Sequence, residues 1–286
     1  MKKILVTGGA GFIGSHLCEK LLELGNEVIS LDNYFTGKEE NHIDGVKYIR
    51  GETKDIENLV KEEPEIVYHL GEYSRVLTSF TDVRQVWRLN IVGTFNVLEF
   101  CRQRNIKIVY AGSSTKFGDN IGGRDDSPYA WSKANNTELV NNYHRWFNLP
   151  YVITYFYNVY GGREMKEGKY ATVVGIFTNN FLNNKPHLIN SPGTQRRAFT
   201  HIDDIIDGLI LAGEKGQGDG YCIGSEITYS VLEIAKMFGG EIKMLPEKKG
   251  DRRMTTIDLT KIKELGWQEK NNIIDYIKDI KNESRQ

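Results

Sequence analysis

Apolar positions along this chain come in short runs separated by longer stretches of helical spacing. The first run, Ile4-Leu5-Val6, breaks at Gly8-Gly9-Ala10-Gly11 and passes into a helical pattern over 17–24 that ends at Gly25. A second run, Val28-Ile29-Ser30-Leu31, stops at Asp32. Later runs are Val46-Lys47-Tyr48-Ile49, Ile66-Val67-Tyr68-His69-Leu70 and Ile108-Val109-Tyr110-Ala111, with helical stretches over 56–61 and 90–102 between them. Short apolar runs that exchange regularly with helices predict strands paired in parallel and buried on both faces. The expectation is an α/β fold, a doubly wound, Rossmann-like parallel sheet whose ligands lie beyond the carboxyl ends of the strands. The pattern is less regular later in the chain. Residues 1–155 are therefore assigned to a nucleotide-binding domain, with a returning segment near 199–214, and 156–286 mainly to a smaller C-terminal substrate-binding lobe.

The break after the first run carries chemistry. Gly9, Gly11 and Gly14 fit G-x-G-x-x-G, and Gly8, Gly11 and Gly14 fit the related G-x-x-G-x-x-G. Such glycines allow a tight turn and close approach of backbone to a pyrophosphate. The first helical turn, at Phe12 and Ile13, then offers N–H groups and a positive dipole to the phosphates. Asp32, at the end of the second strand and followed by Asn33, suits the two ribose hydroxyls of NAD and repels the extra phosphate of NADP. Two further strand ends, Glu52-Thr53 and Leu70-Gly71-Glu72-Tyr73, are expected near the adenine and near the cofactor's central sugars and phosphates.

A third strand end adds reactive groups. Ser113 follows the run 108–111, and Tyr129-Ala130-Trp131-Ser132-Lys133 places a phenol and an ammonium four residues apart, on one face of a helix that Pro128 can start. An ordinary phenol titrates near 10, so a phenolate at neutral pH needs a shift of roughly 3 units, about 4 kcal/mol. A lysine ammonium and a positive nicotinamide favour the anion. Tyr129 can then take a hydroxyl proton while hydride leaves the same carbon. Ser113 would hold that oxygen, with Ser114 and Thr115 as neighbouring hydroxyls.

Composition narrows the class. The chain has 286 residues, 40% of them apolar, enough for a large core. A net charge of −1 gives no case for nucleic acid or an anionic membrane. Lys248, Lys249, Arg252 and Arg253 are basic, but Glu247 and Asp251 lie among them. Cys18, Cys101 and Cys222 are dispersed, as are the histidines, including His69, His144 and His201, so no disulfide framework and no metal site is expected. With no signal segment or membrane-length apolar run, a cytoplasmic enzyme is expected.

In the order of these motifs the chain resembles the extended short-chain dehydrogenase/reductases, and among them the NAD-dependent nucleotide-sugar epimerase/dehydratase family, nearest the UDP-sugar 4-epimerases. The resemblance rests on 7–14, Asp32-Asn33, His69-Leu70-Gly71, Asn90, 113–118, 129–133, Tyr155-Phe156-Tyr157-Asn158-Val159-Tyr160-Gly161, 197–204 and 250–261. It implies a catalytic trio of Ser113, Tyr129 and Lys133. It also implies cofactor contact at Asn90, substrate diphosphate contacts at Asn158, Arg197 and Arg253, and a pocket wall at Thr255 small enough for N-acetylhexosamines. Sugar 4,6-dehydratases carry an Asp-Glu pair and decarboxylases a Glu where this chain has Ser114 and Thr115, which favours a 4-epimerase. That enzyme oxidises C4, lets the 4-keto sugar turn over and returns the hydride. An NAD-dependent dehydrogenase or 4-keto reductase of nucleotide sugars is the alternative, and a non-catalytic NAD-binding regulator is the alternative of another class. A homodimer through helices near 81–104 and 128–147 is implied as well. Departures from the family pattern are Glu52-Thr53 for Asp-Ile or Asp-Val, Gly71-Glu72 for Ala-Ala, Ala198 for a frequent Asp, and a short segment between Gly118 and Tyr129, which would open the sugar pocket.

Overall fold

A computed structural model describes residues 1–114, 123–246 and 257–284. The first half lays down β1 (Lys3–Thr7), α1 (Phe12–Glu23), β2 (Glu27–Asp32), β3 (Lys47–Arg50), the one-turn α2 (Ile56–Leu59) and β4 (Ile66–His69). There follow α3 (Val83–Val86), α4 (Gly93–Arg104), β5 (Lys107–Ser113), α5 (Pro128–Phe147) and β6 (Tyr151–Phe156). The second half adds β7 (Val159–Tyr160), α6 (Val173–Leu182), β8 (His187–Asn190), β9 (Arg196–Ala198), β10 (Thr200–His201), α7 (Ile202–Lys215) and β11 (Gly218–Ile223). It closes with β12 (Thr228–Ser230), α8 (Val231–Phe238), β13 (Ile242–Leu245), α9 (Thr260–Glu264) and α10 (Ile273–Glu283).

Seven strands form one sheet in the order β11-β6-β5-β4-β1-β2-β3, every pairing parallel. The strands between the edges are buried on both faces, which is why their sequences read as unbroken apolar runs. Strand order reverses between β1 and β4, the switch point at which crossovers diverge and leave a crevice. The second half contributes α7 and β11 to this body, and its remaining strands pair two by two, β7 with β10, β8 with β13 and β9 with β12. A second core cluster, built from α6, α8 and α10 around Phe177, Ile234, Phe238 and Ile277, sits apart from the sheet's core.

Element ends differ from the sequence reading in instructive ways. The first helix begins at Phe12, ahead of the apolar stretch over 17–24, because Gly11 is its N-cap and the glycine turn feeds straight into it. The helix expected over 90–102, and the longer interface helix expected over 81–104, is broken. The short α3 leads into a π-helical turn, Trp87–Val92, before α4 starts at Gly93. The wider turn seats Asn90 in the interior, where its side chain is fully hydrogen-bonded. The third strand lies one residue later than its apolar run, and the helix from Ile56 stops at Leu59 as Val60 turns extended.

Helix α7 lies so close to the sheet that a Cβ on Gly213 would come within 2.2 Å of the Tyr68 hydroxyl on β4. Gly213→Ala is expected to destabilise the protein by about 1–3 kcal/mol through overpacking. In a Tyr68→Phe background the cost should fall in part, since the closest colliding atom is gone while the ring carbon at 2.8 Å remains. Equal costs in both backgrounds, measured by urea unfolding, would show that the helix does not approach the sheet there.

Candidate active site

The site is built where β1, β2, β4 and β5 end. Gly8 leaves β1 with φ +77°, a left-handed backbone that suits glycine, and its N–H donates to the Leu31 carbonyl at 2.8 Å. Gly14 has no room for a side chain, since a Cβ would lie 2.0 Å from the Gly8 carbonyl oxygen. No side chain caps the amino end of α1, so its first N–H groups are free of side-chain acceptors. Phe12 and Ile13 form that first turn. Asp32 ends β2 almost fully buried, and its carboxylate accepts from the N–H of Ala10 at 2.9 Å and of Tyr34 at 2.7 Å. Burial raises the Asp32 carboxyl above its ordinary value, against those two hydrogen bonds. Asn33 accepts from the Phe35 N–H and shapes the same loop.

A chain of buried polar groups runs from β1 to α5. Thr7 Oγ1 receives the N–H groups of Leu70 and Gly71 at 3.2 and 3.0 Å and lies 2.7 Å from His69 Nδ1. His69 Nε2 is 2.9 Å from Thr94 Oγ1, and the Thr94 hydroxyl donates to Glu72 Oε1 at 2.8 Å. Thr94 has one proton and gives it to Glu72, so it accepts from Nε2–H, and Thr7 donates to Nδ1. Burial, with the nearby Lys133, pushes the His69 ring down to about 4 despite the opposing charge of Glu72, which keeps the ring neutral.

Glu72 is the hub. Its Oε1 accepts from Thr94, from Asn136 Nδ2 at 2.7 Å and from the Tyr110 hydroxyl at 3.2 Å, and its Oε2 pairs with Lys133 Nζ. Burial opposes its charge, but the Lys133 and His69 neighbours and the hydrogen bonds from Lys133 and Thr94 prevail and hold the carboxyl below its ordinary value. Lys133 Nζ also donates to the Ala111 carbonyl and lies 4.5 Å from the Tyr110 ring centre.

One turn earlier on α5, the Tyr129 hydroxyl donates to Ser113 Oγ at 3.2 Å. The helix that carries both residues starts where its sequence says it should: Ser127 is the N-cap, accepting from Ala130 N at 3.0 Å, and Pro128 occupies the first turn. The sheet end thus brings Ser113, Tyr129 and Lys133 together, with Ser114 immediately after β5.

Other expected residues occupy varied positions. Thr53 is buried, with its hydroxyl 2.3 Å from where a Cβ on Gly93 would lie, and Glu52 pairs with Arg88 at 3.1 Å. The backbone of Leu70 and Gly71 lies against the glycine turn, 3.0–3.1 Å from a Cβ built on Gly8. Tyr73 is buried, with its N–H donating to Asn90 Oδ1 at 2.7 Å and its hydroxyl donating to Asp82 at 2.9 Å. Asn90 also donates to the Tyr73 carbonyl and to Ser132 Oγ. Its amide joins the loop after β4 to α5. Asn158, at φ +37°, donates to the Ala198 carbonyl at 2.9 Å and so tethers the end of β6 to the strand that carries Arg197. Thr115, Arg253 and Thr255, and residues 119–122 of the short segment before Tyr129, lie outside the described residues. No group of three or more potential metal ligands occurs among the described residues, and none of their helices is long and apolar enough to cross a membrane.

Residues 4–224 match the model of the NAD dependent epimerase/dehydratase family. The chain belongs to this family. Among curated epimerase/dehydratase relatives, UDP-glucuronic acid decarboxylase 3 of Arabidopsis thaliana is 31% identical over 94% of this chain and 84% of its own. UDP-glucose 4-epimerase of Thermotoga maritima, solved with UDP-glucose, superposes with a TM-score of 0.91 at 29% identity, covering 99% of this chain and 100% of its own. The Thermus thermophilus UDP-glucose 4-epimerase, solved with NAD, gives 0.90 at 28% identity over 99% of each chain. The epimerase/dehydratase family is NAD dependent, and the residues present fit that cofactor. The Gly8–Gly14 approach admits no side chain, the amino end of α1 has no side-chain cap, and each Asp32 oxygen accepts one backbone N–H, which leaves a carboxylate lone pairs for a diol.

His69 makes the polar chain sensitive to acid. Its ring titrates near 6.5 when unfolded and at about 4 in the fold, so the stability it confers is complete above pH 6.5 and is lost as pH falls toward 4. Wild type is expected to lose roughly 2–3 kcal/mol more between pH 7 and pH 4.5 than His69→Gln does. Urea unfolding of both proteins at the two pH values measures this, and parallel losses would contradict it.

Proposed function

We propose that this chain interconverts the C4 epimers of a nucleotide sugar, a UDP-hexose or UDP-N-acetylhexosamine. The observation that carries the reading is the meeting of Ser113, Tyr129 and Lys133 at the end of β5, next to Ser114 rather than a carboxyl acid. Elimination or decarboxylation asks for such an acid or base beside the sugar. The nearby Glu72 does not supply one, because both its oxygens are taken by protein donors.

NAD, when bound, supplies a hydride acceptor and, later, a donor. The chain's own part concerns the proton and the orientation of the sugar. Tyr129 as phenolate accepts the proton of the sugar's 4-hydroxyl and returns it after the keto sugar has turned. Ser113 donates a hydrogen bond to the same oxygen. Lys133 provides the positive charge that favours the phenolate over the phenol. Asp32 and the turn over 8–14 are assigned to the cofactor, and Asn158 and Arg197 to the substrate's diphosphate side.

Incubation with UDP-glucose or UDP-N-acetylglucosamine, followed by proton NMR, should yield the C4 epimer with no net change in NADH absorbance at 340 nm. Tyr129→Phe should lower kcat by about 10²–10⁴-fold. Steady NADH accumulation would replace the epimerase reading by a dehydrogenase. Release of a pentose nucleotide and carbon dioxide from UDP-glucuronic acid would replace it by a decarboxylase.

A homodimer is part of the same proposal. Exposed apolar residues Leu77, Phe80, Val83, Trp87 and Phe95 line the α3–α4 side, and Trp87 stacks on Trp131 of α5 at 5.5 Å. Burying such a row against a second copy is favourable at about 25 cal/mol per Å². Light scattering should report a dimer that Trp87→Glu converts to monomer; a monomeric wild type would end this part of the proposal.

A further inference from the structure

The Glu72 side chain, from the loop after β4, is folded inward onto Lys133. We propose that Glu72 is a positioning residue that keeps Lys133 protonated and fixed on the helical face it shares with Tyr129. The inference rests on the assignment of Tyr129 and Lys133 to proton transfer.

The geometry leaves Lys133 few other options. Both side chains are nearly inaccessible to water, 5% exposed for Lys133 and 4% for Glu72. Among the described residues Glu72 is the carboxylate in contact with the ammonium. The groups that face it from the neighbouring strand ends carry no negative charge, and Tyr129, one turn earlier on α5, is an anion only as the proposed phenolate. His69, from the end of β4, is held neutral; Tyr110, from β5, is kept a phenol by burial and itself donates to Glu72; the Ala111 carbonyl is a dipole. Arg75, in the loop after β4, bears on Tyr129 electrostatically and adds positive charge. An ammonium in this setting without a carboxylate gives up its proton readily, as buried lysines do. Thr94, Asn136 and Tyr110 fix the carboxylate from the far side, so Glu72 holds its partner in one place as well as one charge state. Oxygens so occupied serve Lys133 and not the sugar.

The test is a pH titration of the protein labelled with [13Cε]lysine, with the Lys133 resonance assigned through Lys133→Met. In Glu72→Gln the Lys133 midpoint is expected to move to lower pH by about two units, and the alkaline limb of kcat should move with it. If Glu72→Gln does not fold, Glu72→Asp, which retracts the carboxylate by one methylene, should move the midpoint the same way by less. An unmoved Lys133 midpoint in the folded variant overturns the proposal. The titration needs neither sugar nor turnover, so it stands even if no epimer forms, whereas loss of epimerisation with an intact Lys133 shift would count against the proposed function alone.

Discussion

The Lys133 ammonium sits almost entirely out of water, and much of the site is arranged to meet that one charge. A buried cation without a partner is costly by several kcal/mol, so a carboxylate must be brought to it, and that carboxylate must in turn be satisfied. Glu72 meets the first demand; Thr94, Asn136 and Tyr110 meet the second. The demand then spreads through His69 to Thr7 and to the backbone of Leu70 and Gly71, which lies against the glycine turn. One continuous set of hydrogen bonds therefore links the turn suited to phosphates with the helix suited to proton transfer.

The parallel sheet makes this arrangement possible. Strands in the order β4-β1-β2 and β4-β5-β6 diverge at the switch point, so their carboxyl ends open a crevice floored by backbone. In β1, β2, β4 and β5 the interior residues are mostly apolar and packed, while the last residue is polar: Thr7, Asp32, His69 and Ser113. The tether from Asn158 to Ala198 then brings the smaller lobe to the same end of the sheet, together with the β7–β10 pair.

Much of this was legible in the sequence where the signal is local. A glycine turn after an apolar strand, an acidic residue at the next strand end, and a Tyr and Lys one helical turn apart all depend on spacing within a few residues, and periodicity reports spacing. The start of α5 at Pro128 was readable for the same reason. The break in the helix around Asn90 was not, because a π turn is stabilised by what its inward residue finds across the fold, here the backbone of Tyr73 and the hydroxyl of Ser132. Tyr73 and Asn90 were both expected near the cofactor, and the structure adds that both side chains are seated in the interior.

Glu72 shows where local information ends. Its sequence neighbours mark it only as a charged residue in a loop, a place where carboxylates are usually solvated. Its partners stand 22, 38, 61 and 64 residues away, on α4, β5 and α5. The amino-acid sequence by itself determined the order of strands and helices through β5, the glycine turn and the candidate reacting groups, because these follow from periodicity and residue chemistry. Only the tertiary structure decided which side chains face inward and which charges meet, because burial and pairing are set by elements that come together from distant parts of the chain.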